Sequence, residues 1–250
     1  MPPLTLALLV LAAFTGGTVD AIAGGGGLIT LPALLAAHVP PTLALGTNKG
    51  QSTWGSGAAL VAYWRADRVD RKLAPIAFPL GLAGAAIGAR LVLALDPDVL
   101  RPLVIALLVG AAVLLLVKKP SRDEDEPARR RHMIIAAALA FAIAMYDGFF
   151  GPGTGTFLIV GFVAWCGKTP TRATADAKVV NFAANLAALV TFASAGAVIW
   201  SVSLPMAAGQ LCGGVLGARL AIRGGAKLVR ASVLVVSGVL VAKLVYQLVS

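Results

Sequence analysis

The sequence predicts an all-α polytopic membrane protein of two inverted repeats, each with four long spans and one short segment, with helices broken at glycine clusters. Composition is the first observation: 58% of the residues are hydrophobic and only 13% are charged, about half the charged share of soluble domains. The second is a series of apolar runs, each long enough for the roughly 20 helical residues that cross a hydrocarbon core. The third is that motifs of the first half recur in the second half in the same order.

Eight long apolar runs are predicted to be membrane-spanning helices. The first of them is expected to be retained rather than cleaved, because its N-terminal flank lacks Lys and Arg and a cleavage-like Ala21-Ile22-Ala23 falls inside a repeated motif. Two shorter apolar runs, 28–39 and 155–166, each follow a glycine cluster. The long runs are 4–23, 43–64, 73–95, 99–117, 132–150, 173–193, 202–222 and 229–249.

One long charged stretch, from Lys118 to Arg131, separates the two halves. It divides the chain into an N-terminal membrane repeat, 1–118, a charged cytoplasmic linker, 119–131, and a C-terminal membrane repeat, 132–250. The apolar runs leave no room for a soluble domain.

The charges of the loops predict how the two halves lie in the membrane. The net charge of +10 comes from basic residues in short loops, which orient a membrane protein and do not indicate nucleic-acid binding. With the linker in the cytoplasm and the short segments crossing, the basic loops 65–72, 167–172 and 223–230 fall inside. The acidic loop 95–98 and the uncharged loop 194–201 fall outside. Loop charges thus reverse at equivalent positions, which predicts inverted repeats, ten segments and both termini outside.

The two glycine clusters are predicted to interrupt helices. Gly24–Gly27 cannot be an ordinary helix interior, because each Gly costs about 0.8–1 kcal/mol relative to Ala. Gly151-Pro152-Gly153-Thr154-Gly155 supplies the same arrangement in the second half. The start of the following short helix suits an anion, which makes Gly25, Gly26, Gly27, Gly153 and Thr154 candidate substrate-binding residues. The alternative is close helix packing, the role expected of Gly84, Gly88, Gly213 and Gly217.

A charge inside a membrane span costs about 2.5–3.5 kcal/mol or more and is usually paired. Asp20, Lys49, Asp147 and Lys178 are such residues within predicted spans. Their depths favour pairs between the repeats, Asp20 with Lys178 and Asp147 with Lys49. Such pairs serve either to hold the repeats together or to couple substrate and proton, and the two roles are compatible.

Polar residues accompany each of these lysines at helical spacing. Asn48 and Ser52 lie beside Lys49, while Asn181 and Asn185 lie on one face with Lys178. We expect them to line the path of an oxyanion; the alternative is that they tie membrane helices together. Cys166 and Cys212 are isolated, and no metal-ligand set, nucleophile–base arrangement or nucleotide motif is present in the sequence. We therefore expect neither metal nor cofactor.

At these residues the chain resembles the TauE/SafE family of sulfite-exporter-like membrane proteins. The resemblance covers nearly the whole chain and rests on four segments. These are Asp20 to Pro32 with its four glycines, Leu45-Gly46-Thr47-Asn48-Lys49, the Gly84-x3-Gly88 motif, and Asp147 to Gly155.

The resemblance implies transport of a small sulfur-containing anion such as sulfite or an organosulfonate, often export, without ATP hydrolysis. We therefore expect a secondary transporter or facilitator, not an enzyme, in the bacterial inner membrane. Its partners would be a small-molecule anion and the lipid bilayer, and a homo-oligomer is left open. The competing hypothesis is a membrane-embedded enzyme or sensor component without transport activity. A cation channel would prefer a ring of acids over repeated lysines.

Overall fold

The computed structural model describes residues 1–96, 98–100, 102–104, 106–107, 124–126 and 130–249, with residues 225–249 as backbone only. Within these ranges every long regular element is an α-helix. The predicted span 99–117 and the linker 119–131 lie mostly outside the described residues. The helices are α1 Pro3–Ala23, α2 Gly27–Ala36, α3 Pro41–Arg65, α4 Ala74–Leu93, α5 Arg130–Phe149, α6 Thr154–Cys166, α7 Pro170–Ser194 and α8 Trp200–Val249.

Helices α1 to α7 follow the predicted apolar runs, including the two short segments, which are α2 and α6. Among the described residues, α1, α4, α5 and α7 are long and apolar enough to cross a membrane. Helix α3 is the equivalent of α7 and equally long, 25 residues. Both begin at a proline, whose fixed φ and missing N–H suit the first turn of a helix.

The prediction of a loop at residues 223–230 is wrong. Helix α8 continues through it, so the predicted spans 202–222 and 229–249 belong to one helix of 50 residues. Gly224 and Gly225 lower helix propensity there, but no proline follows them, and glycine alone weakens a helix without ending it. At 1.5 Å per residue the helix is about 75 Å long, more than one bilayer crossing needs.

The two halves of the chain interlock. Helix α1 packs on the first half of α8, and α5 packs on α4. Glycines make both contacts possible: a Cβ at Gly84 or Gly88 would lie under 3 Å from main-chain oxygens of α5, and one at Gly213 or Gly217 would do the same on α1. The packing role expected for these glycines is confirmed.

Helices α3 and α7 run antiparallel at the centre. The loop after α3 reaches the start of α7, where the Asp70 N–H donates to Asp176 Oδ1 over 2.7 Å. The loop after α7 reaches the start of α3, where the Ile199 N–H donates to Thr47 Oγ1 over 3.0 Å. Asp176 and Thr47 are equivalent positions of the repeat, as are Asp70 and Ile199, so the two contacts correspond.

Candidate functional site

The helix breaks fall where the glycine clusters predicted them. Helix α1 ends at Gly24, which has φ 80°, and its N–H donates to Asp20 O over 2.9 Å. In the second half, Gly151 has φ 101° and Gly153 has φ 88°. Side chains rarely tolerate such angles, so glycine is required at these three positions.

The two breaks meet each other. A Cβ at Gly24 would overlap the main chain of Gly155. The Thr156 hydroxyl at the start of α6 donates to the carbonyl of Ala23 at the end of α1 over 2.7 Å, so it satisfies one of the acceptors that a helix end leaves free. The starts of α2 and α6 are thereby fixed side by side.

Two buried ion pairs join the halves, and both are the predicted ones. Lys49 Nζ of α3 lies 2.9 Å from Asp147 Oδ2 of α5, and Lys178 Nζ of α7 lies 2.8 Å from Asp20 Oδ2 of α1. The lysine side chains are 2% and 0% exposed, respectively. The pairing between the repeats is confirmed, because each lysine meets the acid of the other half.

The two pairs differ in their hydrogen bonds. Lys178 donates to Asp20 Oδ2 and also to the Asp20 carbonyl oxygen. Lys49 instead donates to Asn185 Oδ1 over 3.3 Å. Its 2.9 Å contact with Asp147 Oδ2 is not aligned as a hydrogen bond, and this oxygen accepts none from the described residues. The Lys178 pair is therefore the more firmly bound of the two.

The predicted polar residues form hydrogen bonds around Lys49. Asn48 Oδ1 accepts from Thr30 Oγ1 over 2.6 Å and from Gln51 Nε2 over 2.8 Å. Asn181 Oδ1 accepts from the amide nitrogen of Asn185. The acceptor oxygens of Asn48 and Asn181 are thus used within the protein, which leaves their amide nitrogens as donors for a ligand.

A small cavity of about 20 Å³ lies among these groups, room for roughly one water molecule. The predicted residues Gly25, Gly26, Gly153, Thr154 and Lys178 are not in its described lining. Thr154 instead donates its hydroxyl to Gly151 O over 2.6 Å at the start of α6. The lining residues are Asp20, Gly24, Gly27, Asn48, Lys49, Ser52, Asp147, Gly151, Gly155, Asn181, Asn185 and Gln210.

Gln210 of α8 is a member of this lining that the sequence reasoning missed. Its side chain is buried, and its Oε1 has no hydrogen-bond partner among the described residues. Gly16, Gly17 and Gly55 surround it closely. The available signal was a single polar amide within the apolar run 202–222.

A second ion cluster, also missed, joins the loop after α3 to the start of α7. Lys168 Nζ lies 3.0 Å from Asp70 Oδ2 and 2.5 Å from Asp176 Oδ2. Burial alone would lower the pKa of Lys168, but the two carboxylates hold it above its ordinary value. Burial likewise opposes ionisation of Asp70, yet Lys168 and the nearby main-chain N–H groups hold its pKa below the usual range. An acid inside a predicted span, Asp176, was the signal in the sequence.

Among the described residues, no group of three or more His, Cys, Asp and Glu side chains is placed to hold a metal ion. Cys166 is buried and Cys212 is exposed, and both are free thiols. The chemistry that the central site offers is that of ammonium, carboxylate, amide and hydroxyl groups.

Comparison with known proteins identifies the family. A model of the "Sulfite exporter TauE/SafE" family matches residues 9–244. The chain is 41% identical to "Probable membrane transporter protein ORF9" of Sinorhizobium sp, over 96% of this chain and 92% of the relative. It is 37% identical to "Probable membrane transporter protein YfcA" of Escherichia coli K12, over 98% of this chain and 91% of the relative.

A "Probable membrane transporter protein" of Haemophilus influenzae is 35% identical over 96% of this chain and 94% of its own length. No solved structure matches the chain. The broken helices, the crossed ion pairs and these relatives lead to one conclusion: the chain belongs to the TauE/SafE family and is a multi-pass membrane transporter.

Proposed function

We propose that this chain is a secondary transporter or facilitator that exports a small sulfur-containing anion, such as sulfite or an organosulfonate, across the bacterial inner membrane. One observation carries the proposal: the buried Lys49 ammonium lines a polar cavity at the junction of two helix breaks. Broken helices around a buried site are the arrangement by which many secondary transporters bind their substrates.

The groups around the cavity favour an oxyanion. Lys49 supplies a positive charge, and the amide nitrogens of Asn48 and Asn181 are donors whose partner oxygens are already satisfied. Ser52 adds a hydroxyl to the lining. Several donors converging from two helices match an anion with several acceptor oxygens.

The present cavity, about 20 Å³, is smaller than a sulfonate group. Binding must therefore widen it, and the pairing contact between Lys49 and Asp147 lies directly in its wall. Opening this contact both makes room and exposes the ammonium. The sulfur-containing substrate class rests on the family description, since the names of the relatives specify transport without a substrate.

The same proposal includes an inverted arrangement of the repeats in the bilayer. The antiparallel course of the equivalent helices α3 and α7 supports it, as do the reversed loop charges. Arg65 and Ser194 are equivalent, exposed residues at the ends of these helices. In a variant without native cysteines, Arg65→Cys should react with an impermeant thiol reagent only after the cells are opened, and Ser194→Cys in intact cells. Labelling of both from the same side would overturn inversion.

Flux into lipid vesicles tests the transport function. Purified protein should carry at least one of sulfite, thiosulfate, sulfoacetate and isethionate faster than empty vesicles. Lys49→Ala should abolish this flux, whereas Lys72→Ala, which removes an exposed loop lysine, should leave it near the wild-type rate. If folded wild-type protein carries none of the four anions, the substrate class is wrong.

A further inference from the structure

The two equivalent ion pairs of the central site are bound differently. Lys178 is held by two acceptors of one residue, the carboxylate and the main-chain carbonyl of Asp20. The Asp20 carbonyl also accepts the N–H of Gly24, which ends α1. Separating Lys178 from Asp20 would therefore disturb a helix end, so this pair is suited to remain intact as an anchor.

The pair of Lys49 and Asp147 has no such attachment. Its contact is close but poorly aligned, and Lys49 makes its hydrogen bond to Asn185, a neutral side chain of another helix. A Cβ at Gly151, next to the pair, would lie 2.8 Å from Lys49 Nζ, so glycine at this position leaves room for the ammonium. Lys49 and Asp147 can therefore separate without breaking a main-chain hydrogen bond at a helix end.

The charge balance of the site determines what must happen before Lys49 separates from Asp147 to bind an anion. Among the described residues, the cavity lining and the two ion pairs supply two ammonium groups and two carboxylates, whose charges sum to zero. An anion that enters a neutral, buried site leaves one negative charge uncompensated, which is costly in a medium of low dielectric. If one carboxylate first takes up a proton, the site has a net charge of +1 and the incoming monovalent anion restores neutrality.

Asp147 is the carboxylate placed to take that proton. Its Oδ2 accepts no aligned hydrogen bond from the described residues. This oxygen is therefore free to carry a proton and to donate it as an O–H group. Asp20 Oδ2, by contrast, is already engaged by Lys178.

The groups that face Asp147 come from every helix around it. Lys49 of α3 is in contact, Tyr146 neighbours it on α5, and Asp20 of α1, which is paired with Lys178 of α7, lines the same cavity. Helices α2 and α6 carry no Asp, Glu, Lys, Arg or His. The described charged side chains of α4 and α8 are all exposed: Arg90, Arg219 and Arg223.

We propose that Asp147 is the proton-binding residue that couples transport, so that one proton crosses with each monovalent anion in the same direction. The inference rests on the proposed function. A proton leaves water or buffer on one side and forms the O–H bond of the Asp147 carboxyl. Lys49 keeps its own protons and binds the anion with the amide nitrogens of Asn48 and Asn181. After release of both on the other side, Asp147 is ionised again and pairs with Lys49.

This mechanism makes the direction of transport depend on two gradients, that of the proton and that of the anion. Proton and anion gradients act together, so export occurs when the anion accumulates inside far enough to exceed the inward proton gradient. Because a proton and a monovalent anion sum to zero charge, the membrane potential does not affect their flux. A facilitator that carries the anion alone would respond to the potential.

The experiment uses full-length protein in lipid vesicles that contain a pH-sensitive dye, with potassium and valinomycin holding the potential at zero. Isethionate is the probe, because its sulfonate stays ionised across the pH range. Wild-type uptake should acidify the interior with a ratio of about one proton per anion, and the apparent affinity for isethionate should weaken as the pH rises.

Matched variants of the two acids distinguish the roles of the two ion pairs. Asp147→Asn should bind isethionate without this pH dependence, and its proton-to-anion ratio should fall to near zero; Asp147→Glu should restore the ratio. Asp20→Asn should lower the folded yield, while its proton-to-anion ratio stays near the wild-type value. If Asp147→Asn does not fold, a wild-type proton-to-anion ratio near zero would still overturn the coupling. So would a wild-type flux that changes when a potassium gradient with valinomycin sets a membrane potential.

Isethionate uptake without acidification, or undiminished acidification by Asp147→Asn, would overturn the coupling and leave the transport function standing. Wild-type protein that carries no sulfur-containing anion would overturn the proposed function, and the coupling with it.

Discussion

Replacing Lys178 by methionine should destabilise the protein strongly, because it removes the cation of the anchoring pair. Lys178 is fully buried and donates to both the carboxylate and the carbonyl of Asp20. Methionine keeps the approximate length of the side chain without its charge. Breaking a buried pair from one side costs about 3–5 kcal/mol, and we expect the lower end because Asp20 is 14% exposed. Such a loss corresponds to roughly 6–12 °C in Tm for a chain of this length.

A double-mutant cycle identifies the charge as the cause. Adding Asp20→Asn to Lys178→Met removes the unpaired carboxylate, so most of the stability should return. About 1 kcal/mol should stay lost, the contribution of one hydrogen bond to the Asp20 carbonyl, which still accepts the N–H of Gly24.

The buried thiol of Cys166 provides the assay. In a Cys212→Ser background, a thiol-reactive dye should report exposure of Cys166 as the protein unfolds with temperature in detergent, since Cys166 is buried and Cys212 is exposed. Wild-type Tm in Lys178→Met, or a double variant no more stable than the single one, would refute the reasoning.

Other substitutions test the packing and the second ion cluster. Gly88→Ala should lower the stability by about 1–3 kcal/mol or more, because it forces α4 away from α5. Gly57→Ala, whose Cβ would meet only a phenyl ring at 3.0 Å, should lower it less. Equal losses of Tm in thermal unfolding would contradict the close packing of α4 on α5. Asp176→Asn should cost about 1–3 kcal/mol, because Lys168 keeps Asp70 as a partner; no change in Tm would exclude a stabilising role. Lys168 holds the pKa of Asp70 low against the effect of burial, so the ion pair of Lys168 and Asp70 stabilises the protein above about pH 4 and is lost on acidification. Asp70→Asn should therefore flatten the fall of Tm between about pH 5 and pH 3. An unchanged slope of Tm against pH would count against this role of the pair.

The repeated motifs predicted the centre of the molecule well. The cost of a charge in a bilayer and the conformational freedom of glycine are properties of single residues, so they can be read without a structure. Asp20 and Asp147 were assigned to the lysines of the opposite halves, and Gly24 and Gly151 to helix breaks. The spans of α1 to α7 followed from apolar length in the same way.

The continuity of α8 through residues 223–230 and the second ion cluster were not predicted. Basic residues at 223–230 resembled a loop, but charge alone does not end a helix, and the helix continues. The sequence does not indicate the partners of Asp176, because Lys168 and Asp70 come from two loops far apart in the sequence. Gln210 reaches the cavity only because three glycines of other helices make room for it.

The sequence by itself determined that the chain crosses a membrane, that its halves repeat, where its helices break and which acids and lysines pair. These features depend on hydrophobicity, spacing and local backbone freedom. Only the tertiary structure decided that the two equivalent pairs differ, with Lys178 bound to a carboxylate and a carbonyl and Lys49 beside a poorly aligned carboxylate. Hydrogen-bond alignment is set by how helices distant in sequence pack, and identical motifs can therefore take up different geometries.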